Sequence, residues 1–477
     1  MPRRVVRLHH PDGEALRNGI TAIQKELGIS PEFPAEVEAA AQDAAKSPKL
    51  PELDRTDIPL VTIDPETSMD LDQAMHIERD GEGYVVHYAI ADVAAFVDPG
   101  GPVDLEANRR GETLYGADVS VPLHPKVLSE GAASLLPDEV RPALLWTIRV
   151  DSSGEGTDAN VERALVKSRA KLSYESVQKQ VDEGTADEMF SLLREVGELR
   201  KKREASRGGV SLPLPEQEIT IDGDTWSLEF RKMLAVEEWN AQISLLTGMA
   251  AADLMIYANV GLLRTLPPPD PRDVQRLHRT AKALKIEWRA ELLYPDFIRS
   301  LDPSRPNHAA MVIACTQLLR GSGYIGFNGA VPGQPEHSAL ASEYAHVTAP
   351  LRRLVDRYAL EICVSLCAET EVPSWVLAML DQLPKTMQES ARKASRHERA
   401  IHAMVEAAVL QKSVGKTFSG VVVQVDQEDE TKGDVVIREP AVEATITGSK
   451  KLPLGTDVQV RLVEADVQTR TVRFELA

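Results

Sequence analysis

The stretch T-I-D-P-E-T-S-M-D-L-D-Q-A-M-H, Thr62 to His76, constrains this chain more than any other. An apolar run (Leu60, Val61, Ile63) stops at Pro65, and a second resumes at Ala74. Proline fixes φ and removes a backbone donor, so the pattern reads as strand, loop, strand. Asp64, Asp70 and Asp72 crowd the loop, with Glu66 and Gln73 beside them. Carboxylates held this close repel, and some take up protons unless a cation neutralises them. Hard oxygen ligands suit Mg²⁺ or Mn²⁺ rather than zinc. On these residues alone an acidic surface turn is an equal reading, and the rest of the chain must decide.

A chain of 477 residues has room for more than one domain and a full core. No apolar run approaches the ~20 residues of a membrane span. Met1 to His10 is basic but lacks a signal's apolar centre, so a cytoplasmic location is expected. Cys315, Cys363 and Cys367 make no disulfide framework. Cys363 and Cys367 share a helix face without further soft ligands nearby, and buried thiols are expected. The net charge of −19 argues against an openly basic nucleic-acid surface. It allows a polyanion only along an interior basic path with the acidic residues facing solvent.

Glu14 to Leu27 has helical spacing (Leu16, Ile20, Ile23, Leu27) with Gly28 to end it, and Ala35 to Ala45 is a second helical stretch. Two helices around a short turn allow a helix-turn-helix, but a packing arm or lid is the favoured reading. Asp80-Gly81 marks a hairpin turn, residues 103–111 a short helix, and Thr113 to Pro122 and Ala143 to Val150 strands. A helix over Asp187 to Glu204 ends at Arg207-Gly208-Gly209. Strands near 217–221 and 226–230 flank Asp222-Gly223-Asp224. A long helix runs from Met233 to Ala258, and helices then dominate to about Ser413. A mixed sheet followed by a helical layer is an α+β arrangement. From Phe418 to Leu476, five short β-type runs separated by turns fit a small closed barrel of the OB type.

The loop at 62–76 resembles the signature of the RNase II/RNase R family of exoribonucleases in its catalytic RNB domain. Three further blocks resemble that family in the same order. They are Tyr88 to Phe96 with Arg109-Arg110-Gly and Leu114-Tyr115, then Val236-Glu237-Glu238, then Tyr344-Ala-His-Val-Thr-Ala-Pro-Leu-Arg-Arg353. Residues 416–477 are similar to the S-one type OB domain that follows the catalytic domain. The resemblance implies an RNB domain over 56–412 and an OB-fold over 413–477, after the helical N-terminal region over 1–55 that the spacing predicts.

What it implies for function is a 3′→5′ hydrolytic exoribonuclease that releases nucleoside 5′-monophosphates, with RNA held 3′ end first in an interior channel; separately, the composition gives no membrane span and the sequence no strong dimer seam, so no membrane partner and a monomer are expected. The resemblance also implies divalent ions, Mg²⁺ or Mn²⁺, held by Asp64, Asp70 and Asp72, with catalytic roles for these three, for Gln73 and for Arg352. Gln73 departs from the family, which has a fourth aspartate in many members. The alternative is therefore a weak or inactive RNA-binding scaffold. Tyr115 matches a tyrosine that stacks on the 3′-terminal base, and Tyr174 another RNA contact. Arg320, Glu343, Arg352 and Arg353 are further RNA-binding candidates, the two last placed by Thr348 and Pro350 in the first turn of a helix. Gly208 to Ile221 offers no aromatic for the second face of the family's base clamp. His346 is expected to serve a hydrogen-bonding structural role. Arg392 to Arg399 is either an RNA guide or a solvated helix face. In place of the cold-shock domains of typical members there is only the helical N-terminal region, so a less restricted entrance able to admit structured RNA is expected.

Overall fold

The computed structural model describes residues 14–116, 120–214, 216–222, 225–289 and 291–477. Met1 to His10 and the Gly223-Asp224 turn lie outside the described residues. The centre of the larger, N-terminal part of the fold is a four-stranded antiparallel meander of β2 (Gln73–Asp80), β3 (Gly83–Ala91), β4 (Val140–Val150) and β5 (Gly156–Lys167). The short strand β1 (Thr62–Asp64) lies beside it, paired in parallel with β6 (Lys171–Ser173). The hairpin from β2 to β3 turns at Gly81, whose φ of +61° is open to glycine without strain.

Period-2 alternation sorts the sheet into two faces. Met75, Ile77, Val86, Tyr88 and Trp146 pack on one side against the helices Glu188–Arg207, Ala235–Ala258 and Leu354–Cys367. Ala74, Ala89, Ala91 and Leu145 face the other side, toward Leu60, Leu71, Phe96 and the N-terminal helix Ala35–Lys46. Helix Ala235–Ala258 is long and apolar enough to cross a membrane by length and composition, which corrects the reading that no such stretch exists. Its apolar face is accounted for by the core, where Val236, Ile243, Leu246, Ala251 and Met255 are buried. Tyr344 lies so close to this helix that a Cβ on Gly248 would collide with its ring.

Residues 417–476 close into a five-stranded barrel, as their short, turn-separated runs indicate. Helix Pro306–Cys315 lies against it through the cluster of Met311, Val312, Val421 and Val423, and helix Leu383–Leu410 through that of Ile401, Val405, Val422 and Val460.

The two N-terminal helices do not form a helix-turn-helix unit. Ile20 and Ile23 of Glu14–Glu26 join the core shared by helix Leu383–Leu410 and the barrel, whereas Val37 and Ala41 of the second helix join the sheet. Each helix finds its apolar partner elsewhere, so neither covers the other. The link between them runs past Leu114 and Val121, which cluster with Ile29. Other readings also change. The stretch from Thr113 to Pro122, so far as it is described, is a loop closed by the Leu114–Val121 bridge, not a strand. Helices do not dominate after 258 without interruption, because Val260–Thr265 pairs with Gly323–Asn328. Cys315 and Cys363 are buried and Cys367 is partly so, all three as free thiols.

Candidate active site

Asp64 ends β1, opposite Ser173 on β6. Ser173 then caps the helix Tyr174–Glu183 by a reciprocal bond with Ser176. That junction sets Tyr174 beside Asp64, and the Tyr174 hydroxyl accepts a bond of 3.0 Å from Asn240 Nδ2. From Asp64 the chain loops out and is pinned by Leu71, whose N–H donates to Ser134 Oγ at 3.0 Å, while Ser134 Oγ donates to the Met69 carbonyl at 2.6 Å. With Leu71 fixed inward, Asp72 enters the core and is 4% exposed.

The other half of the site is the turn over 347–353. The Ala349 N–H donates to Asp356 Oδ1 at 2.7 Å, and Arg353 clasps both oxygens of the same carboxylate at 2.8 Å. So shaped, the turn points the Leu351 N–H at Asp72 Oδ1, 2.8 Å away, and brings Arg352 Nε to 3.3 Å from Asp72 Oδ2. The Arg352 carbonyl accepts from Thr113 N–H at 2.9 Å, which ties the Tyr115 segment to the same turn.

Electrostatically the pocket is short of positive charge. Burial pushes the Asp64 carboxyl up to about 7, with Arg352 opposing, Asp70 adding and Lys171 opposing. Burial raises Asp70 too, and raises Asp72 well above the usual carboxylate range, with Asp70 adding to it and Arg352 opposing. Burial alone would lower the Arg352 guanidinium, but Tyr115, Asp72 and Asp70 hold it above its ordinary value. Among the described residues no three acidic, histidine or cysteine side chains already converge on one point. The donor set nonetheless fits a hard divalent ion in its chemistry: oxygen ligands only, Asp72 buried and Asp64 and Asp70 partly so, and mutually repelling.

The structure brings together Asp64, Asp70, Asp72, Gln73, Tyr174, Arg352 and Tyr115. Gln73 is engaged at both ends of its amide, donating from Nε2 to the Thr348 carbonyl at 2.6 Å and accepting from the Tyr88 hydroxyl. Arg353 is not a free phosphate ligand but half of a buried fork with Asp356. Both arginines precede the helix, which starts at Leu354, because the turn must finish before the helical bonds begin. Arg320 is exposed after the short 3₁₀ turn Thr316–Leu319, and Glu343 has Asp253 as its electrostatic neighbour, not the three aspartates. His346 is bonded through Nδ1 to the Tyr324 hydroxyl at 2.7 Å.

Lys171 escaped sequence reasoning. Its ammonium donates to the Glu66 carbonyl at 2.8 Å and stands beside Asp64. Its signal was its place three residues before Tyr174, across the β1–β6 pair. Tyr88 sat in a quoted block, but no local pattern tied it to Gln73.

Comparison with known proteins agrees with this architecture. The RNB domain model matches residues 53–367, and the RNase II-type exonuclease C-terminal S1 domain model matches 416–477. Ribonuclease R of Mycoplasma pneumoniae is 26% identical over 401 residues, covering 77% of this chain and 53% of that protein. The chain thus spans about half the length of that relative. The structure of Mycoplasma genitalium RNase R in complex with ribose-methylated single-stranded RNA superposes with a TM-score of 0.86 at 21% identity, over 97% of this chain and 78% of that one. The yeast pseudonuclease Ssd1 shares the fold at a TM-score of 0.68 and 16% identity, over 95% of this chain and 57% of that one. An RNB match over more than half of the chain, followed by its customary S1 domain, makes this chain a member of the RNase R/RNase II-type exoribonuclease family.

Proposed function

We propose that this chain is a metal-dependent 3′→5′ exoribonuclease that hydrolyses single-stranded RNA to nucleoside 5′-monophosphates. The observation that carries the reading is that Arg352 stands 3.3 Å from Asp72 and interacts electrostatically with Tyr115, Asp72 and Asp70 together. A 3′-terminal nucleotide requires these three kinds of group close together: a surface for its base, a cation for its phosphate, and acid groups at the bond to be broken.

Tyr115 is 46% exposed, so part of its ring faces solvent where a base could stack. Such stacking is worth roughly 1–3 kcal/mol and accepts any base. Arg352 offers charge-assisted donors to the scissile phosphate. Asp64, Asp70 and Asp72 would hold Mg²⁺ or Mn²⁺, which when bound activates water and neutralises charge on the phosphate. Lys171 fixes the back of the acidic loop, and Tyr174 closes the site beside Asp64. The barrel at 417–476 supplies a further surface for single-stranded RNA.

Gln73 favours a second reading, an RNA-binding scaffold without catalysis, since its amide is engaged with protein at both ends. One assay separates the two: 5′-labelled single-stranded RNA with Mg²⁺ or Mn²⁺, beside Asp72→Asn. A ladder shortening from the 3′ end and lost in the variant supports the enzyme. RNA binding without cleavage in either metal supports the scaffold. Whether the helical N-terminal region leaves an entrance open to duplexes is tested with hairpin RNAs of graded 3′ overhang, where a stall several nucleotides before every duplex would refute an open entrance.

A further inference from the structure

We infer that Gln73 is a positioning residue that keeps Asp72 and Arg352 in register, and not a ligand of the metal. The inference rests on the exoribonuclease reading above. The orientation of the amide is fixed by chemistry, because the Thr348 carbonyl can only accept and so must face the NH₂ group. The opposite end then presents Oε1 to Tyr88, whose hydroxyl donates to it. Tyr88 is fully buried in the middle of the sheet and has no freedom to follow a moving partner. Thr348 is held a second time through its own hydroxyl, 2.9 Å from Ser244 Oγ on the helix Ala235–Ala258.

Two cross-links therefore join the start of β2 to the turn over 347–353. Gln73 reaches Thr348, and the adjacent Asp72 reaches the N–H of Leu351. Arg352 is the next residue, with Nε 3.3 Å from Asp72. Loss of the first cross-link frees the turn to shift along the strand, and the guanidinium moves with it. The choice of residue follows from the same geometry. A carboxylate at position 73 has no hydrogen for the Thr348 carbonyl and would face it as a second acceptor, so a fourth aspartate is incompatible with this clamp. Glutamine replaces a charge by a fixed frame, and the remaining three carboxylates are left to bind the ion.

The test compares wild type, Gln73→Met and Gln73→Asp on 5′-labelled single-stranded RNA, with kcat and KM determined separately. Mn²⁺ binding without RNA is followed by electron paramagnetic resonance, and Tm is recorded. Both variants should lose about ten-fold or more in kcat, with KM within about two-fold of wild type, as expected for misplaced reacting groups. Gln73→Met should keep its Mn²⁺ affinity within about the same two-fold. A parallel loss of Mn²⁺ affinity in Gln73→Met would make Gln73 a ligand and overturn the inference. An unchanged kcat in Gln73→Met, or a gain in Gln73→Asp, would overturn it as well. If Gln73→Met does not fold, Tyr88→Phe removes only the hydroxyl of the clamp, and should show the same split between kcat and KM in smaller measure; an unchanged kcat there overturns the inference. A wild-type chain that cleaves no RNA defeats the functional reading and the inference together, whereas a cleaving wild type with indifferent variants defeats the inference alone.

Discussion

The main-chain N–H of Leu351 donates to Oδ1 of Asp72 at 2.8 Å, across 279 positions of sequence. With the bond from Gln73 to Thr348, it makes the acidic loop and the 347–353 turn one site. Asp72→Asn keeps an oxygen that can accept from Leu351 and removes the charge. Because burial already disfavours that charge, the variant should melt no lower than wild type in the absence of divalent ions. Its RNA cleavage should fall by roughly 10²–10³-fold, the usual cost of removing one electrostatic element of an active site. Thermal melts in EDTA beside gel assays in Mn²⁺ check both halves. A variant that retains cleavage would remove Asp72 from the chemistry.

The same turn depends on a buried histidine. His124 Nδ1 is 3.1 Å from the Leu351 carbonyl, so its proton sits on Nδ1. Burial pushes its pKa down to about 4, from 6.5, against the pull of that carbonyl. Above pH 6.5 the ring is neutral in both the folded and unfolded chain, and its contribution to stability is complete. As pH falls from 6.5 toward 4 the unfolded chain takes a proton that the folded chain refuses, and that stability is lost. At pH 5 the loss amounts to about 2 kcal/mol, at about 1.36 kcal/mol per unit. His124→Gln keeps a donor for the carbonyl and does not titrate. Urea denaturation at pH 7.5 and pH 5 should show wild type losing about 2 kcal/mol more than the variant. Equal losses would mean that the folded ring titrates as a free histidine does.

What could be read from the sequence follows the range of the forces involved. The barrel was legible because each of its strands is short, alternating and turn-bounded, so that local pattern and final pairing agree. Asp64, Asp70 and Asp72 were legible because they share one loop. Strand β5 was not, since G-T-D-A-N-V-E-R-A-L-V-K is half polar, as suits a strand at the edge of its sheet. Thr113 to Pro122 has strand-like composition, yet the Thr113 N–H is bonded to Arg352, a partner no local pattern indicates. Arg352 and Arg353 are chemically the same in sequence. Their roles divide only because Asp356, three residues on, takes the second and Asp72, far upstream, faces the first.

That division can be tested directly. Arg353 and Asp356 form a buried fork, 13% and 0% exposed in their side chains. Arg353→Ala leaves the carboxylate desolvated with only the Ala349 N–H and should cost about 3–5 kcal/mol of folding stability. Arg352→Lys keeps a cation but loses the planar fork, and should cut RNA cleavage with a smaller effect on folding. Chemical denaturation and cleavage measured on both variants would show opposite rankings. Identical rankings would place both arginines in one role.

Tyr115 stands apart from this frame, because 46% of its surface is open while its backbone is held on both sides. Thr113 is bonded to the 347–353 turn, and Leu114 is bridged to Val121. Substituting the ring therefore leaves these backbone ties in place. Stacking requires the aromatic face and not the hydroxyl, so Tyr115→Phe should bind single-stranded RNA nearly as wild type does. Tyr115→Ala should bind more weakly by about 1–3 kcal/mol, or roughly 5- to 150-fold. The loss should be the same for RNAs ending in any of the four bases, since each offers a π-face. Fluorescence anisotropy in EDTA, with four oligonucleotides differing only at the 3′ end, measures it without interference from cleavage. A loss confined to one base would point instead to hydrogen-bonded readout at that position. A loss as large in Tyr115→Phe would assign the effect to the hydroxyl and its neighbour Arg352.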